Sequence, residues 1–233
     1  MKTVYIDIET IPGQATWIGE YISRNVKPPG NIKLEASKEK WWKEKGDAAI
    51  EQAMHKCGLD ATMGEVICIC WAVDDGDVKA MAQPFEHDTL KFFWTEMLVE
   101  LDRKYGGGNH APTFCGHNVS FDLGFIWRRC VINGLNPAIK IPYAEPPWSD
   151  KIIDTCDMWK GQDKATSGSL DMVCRAMGIG GKEGMNGSDV WQYWKDGRIE
   201  EIAEYCKLDV IKCRLIHQRM MFRGQTDNLE LDL

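Results

Sequence analysis

Two carboxylates, Asp7 and Glu9, are interleaved with the apolar residues Val4, Ile6 and Ile8 at the head of the chain. Alternation of this kind sets a strand, and residues two apart on a strand project from one face, so the two acids are neighbours in space. A second acidic patch lies in HNVSFD, where the short apolar run APTFCGH leads through Asn118 to Asp122 and on to the helical stretch LGFIWRRCVI. Such strand-to-helix junctions are where substrate sites often sit in α/β folds. The third patch, EEIAEYCKLDV, has helical periodicity, with Ile199, Ile202, Cys206, Val210 and Cys213 forming the expected buried stripe. Tyr205 and Asp209, four residues apart on it, share a face one turn from each other.

Each patch alone has a plain structural explanation. Asp-x-Glu is a common strand-end or turn signal, Asn118, Ser120 and Asp122 are all good helix caps, and Tyr205 with Asp209 fits an ordinary amphipathic helix. Their combination points elsewhere. Carboxylates brought together repel one another unless a cation neutralises them. Oxygen-only donors suit magnesium or manganese, which leave coordination positions for water and substrate phosphate. Two such ions about 4 Å apart hold both the attacking and the leaving oxygen of a displacement at phosphorus. The acids therefore read as a phosphodiesterase site.

In order and spacing, IDIET, HNVSFD and YCKLD resemble the three motifs of the DEDDy-type 3′-5′ exonucleases of the ribonuclease H-like superfamily. These include the proofreading domains of family B DNA polymerases. Tyr205-x-x-x-Asp209 selects the tyrosine branch, because the histidine branch would carry His where Glu204 stands. The stretches GSLDMVCRAMGIGGK and NGSDVWQYWKDGRIEEIAEYCKLDV resemble stand-alone phage or prophage relatives. The resemblance implies a mixed β-sheet flanked by helices. It further implies that Asp7 bridges two metal ions, that Glu9 and Asp209 serve the nucleophile side, and that Asp122 serves the leaving-group side. Tyr205 would orient the attacking water with Glu9, Asn118 would lie near the terminal nucleotide, and Phe121 would mainly pack. The implied product is a nucleoside 5′-monophosphate.

Between the first and second motifs lies an insertion, about residues 14–63, expected to be helical. It is the most basic part of the chain, with Lys40 and Lys43 beside Trp41 and Trp42. Lysines next to exposed tryptophans can grip phosphates and stack on unpaired bases, whereas a solvated helix with its tryptophans packed inward would be structural. Elsewhere, EVICICWAVDD and DVKAMAQ flank a DDGD turn and predict an antiparallel hairpin beside the first strand. Leu90, Phe93, Met97, Leu98 and Leu101 recur at helical spacing before three glycines. KIIDTCDMW predicts a further edge strand, and Ser169 is placed to cap a helix that Gly178 stops.

A chain of 233 residues is expected to form one exonuclease domain, with an acidic tail at about 224–233. It lacks an opening basic segment followed by an apolar run, and lacks a span of ~20 apolar residues. A cytoplasmic location is expected, in the host cytoplasm if the gene belongs to a phage. The nine cysteines are scattered without disulfide or CxxC spacing and read as reduced, mostly buried small residues rather than zinc ligands. The net charge of −7 argues against broad electrostatic coating of nucleic acid, yet bound cations would invert the field at the acids. The leading reading is a magnesium- or manganese-dependent exonuclease acting on a free 3′ end, with single-stranded DNA favoured and replication or recombination proteins as partners. RNA is the enzymatic alternative. A catalytically silent nucleic-acid-binding module is the other, and the presence of all four acids and Tyr205 weighs against it.

Overall fold

The computed structural model describes residues 2–108, 110–146, 149–163, 165–181 and 184–222. The acidic tail lies outside the described residues. In chain order the elements are β1 (Thr3–Pro12), α1 (Thr16–Asn25), α2 (Glu35–Cys57), β2 (Gly64–Val73), β3 (Lys79–Met81), α3 (Glu86–Tyr105) and β4 (Thr113–Gly116). These are followed by α4 (Val119–Ile132), β5 (Ile152–Asp154), α5 (Thr155–Lys160), α6 (Leu170–Met177), α7 (Val190–Lys195) and α8 (Ile199–Met220). Contacts divide the chain into two compact units, Met1–Glu9 with Val66–Leu233, and Thr10–Glu65.

The larger unit is built on a five-stranded mixed sheet in the order β3-β2-β1-β4-β5. β2 and β3 pair antiparallel, as the DDGD turn predicts, while β1–β4 and β4–β5 are parallel. β1 is central and buried on both sides, so Val4, Ile6 and Ile8 sit in the core and Tyr5 is covered as well. With that double burial the strand tolerates acids only where something else holds them. The expected edge strand is β5.

Helix periodicity translated well where it was strong. α3 buries Leu90, Phe93, Met97 and Leu101, adds Trp94, and leaves Leu98 half-buried; it ends at Gly106, whose φ of 76° suits glycine. α8 buries Ile202, Cys206, Val210, Cys213 and Ile216 but leaves Ile199 only half-covered. Ser169 caps α6, accepting the N–H of Met172, and Gly178 ends it in the left-handed conformation. α4 is pinned to the start of α3 by a fork: Arg129 donates from Nε and Nη2 to the two oxygens of Glu86, at 2.8 and 2.6 Å. Glu86 also accepts the N–H of Val66, so one buried acid holds β2, α3 and α4 together.

The smaller unit has its own apolar cluster, in which Ile18, Ile22 and Cys57 are buried against Val26, Ile50, Ala53, Met54 and Met63. The expected helical insertion is thus α1 and α2. α2 buries only Gly46 and Cys57 over its 23 residues. Trp42 is folded over its own helix, where a Cβ on Gly46 would come within 2.5 Å of the indole. Trp41 is half-buried and meets Trp42 edge-on at 5.1 Å. Lys40 and Lys43 are exposed, Lys40 lying 3.8 Å from Glu44 one turn on.

Candidate active site

β1 outruns its parallel neighbour. β4 pairs with it only at Thr3 to Tyr5 and then ends at Gly116, leaving the later part of β1 without a partner on that side. The chain turns sharply there: a Cβ at Gly116 would meet Val119 at 2.7 Å and the Ile6 carbonyl at 3.0 Å, so only glycine fits. Asn118 follows with φ 66° and ψ 37°, a left-handed conformation that asparagine tolerates better than most residues. It stands at the N-cap position of α4, yet its side chain makes no cap hydrogen bond. Its backbone N–H instead donates to Asp154 Oδ1 at 2.9 Å.

That turn delivers Asp122, on the first turn of α4, to β1. Its Oδ1 accepts the N–H of Ile8 at 3.1 Å, standing in for the missing strand partner. The carboxyl is buried, and burial followed by the neighbouring charge of Asp7 pushes it well above the usual carboxylate range. Asp7 and Glu9 lie side by side as the spacing predicts, Asp7 half-buried and Glu9 buried.

From the far end of the sequence, α8 closes the site. Cys206 Sγ lies 3.4 Å from Asp7 Oδ2, and one oxygen each of Asp7 and Glu9 falls within 4.8 Å of this sulfur and of the other. Tyr205 donates to Asp209 one turn on. Burial and then the charges of Asp209, Glu9 and Asp7 push its phenol far above its ordinary range. Asp209 is itself buried, with Lys212 Nζ 3.9 Å from its Oδ1. Asp7, Glu9, Asp122, Tyr205 and Asp209 are thereby brought together from β1, α4 and α8.

Of the remaining predicted site residues, Asn118 is exposed and Phe121 is half-buried with its ring 5.5 Å from that of Phe125, consistent with a packing role. Lys40, Trp41, Trp42 and Lys43 belong to α2 of the smaller unit. Asp154 was not singled out from the sequence. It caps α5 through the N–H groups of Cys156 and Asp157 while holding the Asn118 turn, and its charge contributes to the upward shift at Asp122. His117 is fixed by Thr155 and the Gly168 carbonyl, and burial lowers its pKa, in keeping with a structural neighbour of Asn118.

The donor set fits divalent cations of the hard class. Asp7 and Glu9 offer oxygens within 4.8 Å of each other, and the buried Asp122, pushed upward by burial and then by the charge of Asp7, adds a third acid whose charged form a cation would favour. All nine cysteines are buried and free of disulfides, as the sequence predicts. Among the described residues, no helix is long and apolar enough to cross a membrane.

The comparisons agree with this geometry. The chain superimposes with a TM-score of 0.57 on the family B DNA polymerase of the hyperthermophilic archaeon Pyrobaculum calidifontis, at 15% identity over 95% of this chain. It spans only 24% of that polymerase. The likeness establishes the fold, an α/β ribonuclease H-like sheet with flanking helices. No curated protein sequence matches the chain. Residues 106–232, more than half of the chain, match the family model described as a predicted 3′-5′ exonuclease related to the exonuclease domain of PolB. The chain therefore belongs to this family of predicted 3′-5′ exonucleases related to the PolB exonuclease domain.

Proposed function

We propose that the chain is a single-domain, DEDDy-type 3′-5′ exodeoxyribonuclease that trims single-stranded DNA and releases nucleoside 5′-monophosphates. The observation that carries the reading is the meeting of Asp7 and Glu9 with the Tyr205–Asp209 pair under one buried Asp122. Asp7, Glu9, Asp122 and Asp209 would hold two magnesium or manganese ions, which supply Lewis acidity to phosphate oxygens and acidify water. Tyr205, kept protonated by burial and by the acids around it, offers a hydroxyl that orients the attacking water together with Glu9. The water oxygen bonds to phosphorus as the bond to the 3′ oxygen breaks, and that oxygen leaves carrying a proton. Asn118, exposed on its left-handed turn, is proposed to touch the terminal nucleotide.

DNA is preferred over RNA because of the family's relation to a DNA polymerase domain; the acids themselves act on phosphate and do not read the sugar. Lys40, Trp41, Trp42 and Lys43 are proposed to bind the nucleic-acid strand, supported by the exposure of both lysines and of Trp42. The deciding experiment is digestion of end-labelled DNA and RNA, single- and double-stranded, with magnesium, with manganese and with chelator. Stepwise shortening of single-stranded DNA from its 3′ end, abolished by chelator, is expected. Cleavage only of RNA, or binding without cleavage, would overturn the reading.

A further inference from the structure

Three sulfurs converge directly behind the acids. Cys68 and Cys70, two apart on β2, have Sγ atoms 3.8 Å apart, and Cys206 of α8 brings a third within 4.8 Å of both. All three residues are fully buried. The third sulfur is also the one 3.4 Å from Asp7 Oδ2, so Cys206 links the trio to the acids. Two sulfurs bound to one tetrahedral zinc at about 2.3 Å lie roughly 3.8 Å from each other, the spacing of Cys68 and Cys70. Small apolar residues would fill this part of the core equally well, and three of them would offer no ligands.

We propose that Cys68, Cys70 and Cys206 form a three-sulfur site for a thiophilic divalent cation of the zinc and cadmium class. Its occupancy turns the Cys206 sulfur from Asp7 Oδ2 to the ion, removes a contact that holds that carboxylate, and so turns the enzyme down. The regulatory half rests on the exonuclease reading; the binding half does not. Each thiol releases its proton to solvent as its sulfur takes up the ion. Asp7 is half-exposed while the sulfurs have no open surface, so the ion passes Asp7 on its way in. Magnesium ignores thiolates, so the two cation classes separate by donor softness on either side of the Cys206–Asp7 contact.

The test uses the whole protein in a phosphine reductant, with cobalt(II) as probe. Wild type is expected to develop an intense ultraviolet thiolate-to-cobalt charge-transfer band that saturates at one equivalent. Cys70→Ser should weaken cobalt binding at least about tenfold. Cys174→Ser, which lies in a separate cluster with Val173 and Ile216, should leave the band intact. In magnesium, stoichiometric zinc should cut exonuclease activity at least about tenfold, and Cys70→Ser should need at least about tenfold more zinc for the same fractional loss, each measured against its own uninhibited rate. A missing band in wild type overturns the site whether or not any variant folds. A band unchanged in Cys70→Ser does the same. Equal zinc sensitivity in wild type and Cys70→Ser overturns the regulatory half, because inhibition would then arise at the carboxylates alone. Absence of any magnesium-dependent cleavage counts against the exonuclease reading, and the cobalt titration still decides the thiol site.

Discussion

α8 and α2 are almost the same length, 22 and 23 residues, and are held in opposite ways. α8 buries eight residues, among them two that carry charge, Asp209 and Lys212. α2 buries two, and its surface carries local ion pairs such as Lys38 with Glu35 and Lys40 with Glu44. Pairs of that kind contribute only a few tenths of a kcal/mol, so α2 persists through helix propensity and the small apolar cluster at its C-terminal half. A helix fixed by packing can aim a hydroxyl and a carboxylate to a fraction of an ångström. A helix of exposed lysines can hold a flexible strand but not a reacting atom.

The sharpest attempt to break this contrast is at the acid facing α8. Asp7→Ala should lower the rate on 3′-labelled single-stranded DNA on the order of a thousandfold, with the melting temperature little changed. Comparable turnover by the two proteins would remove the proposed mechanism. Next comes the packing itself: Ile202→Ala in α8 should cost about 3 kcal/mol in urea unfolding, because the buried side chain leaves a cavity. A cost no larger than that of a surface change would mean α8 is not locked in place.

These two predictions draw on different layers of legibility. The period of the hydrophobic residues announced β1, α3 and α8, and the spacings two and four announced which acids share a face. The turn at Gly116 and Asn118 was visible only as a junction; that β4 stops early and that Asp122 takes up the N–H of Ile8 depends on strand lengths, which no local pattern encodes. Asp154 stayed hidden for the same reason, since its partner Asn118 is 36 residues away. The search for metal spacing along the chain passed over Cys68 and Cys70 because their third sulfur comes from Cys206, on another element. The six-residue helices α5 and α7 are too short to show a period.

Tyr205→Phe refines the comparison within α8. Removing one hydroxyl should lower kcat roughly a hundredfold and leave KM nearly unchanged, because in the proposed mechanism it orients water rather than binding DNA. Equal losses in binding would recast Tyr205 as a substrate contact. The smallest effect is expected on α2: replacing Lys40, Trp41, Trp42 and Lys43 with alanine should weaken binding of long strands about tenfold by fluorescence anisotropy, spare very short ones, and change stability by about 1 kcal/mol or less. Unchanged affinity for long strands would make α2 purely structural.

The bond from Ile8 to Asp122 gives one proposed catalytic position a second duty. A descendant that abandoned nuclease chemistry would be free to drift at Asp7 or Glu9, but in place of Asp122 it would still need an acceptor for a buried backbone N–H. Asparagine meets that need and alanine does not. Retired copies of this enzyme should therefore carry asparagine there, as the fossil of their former trade.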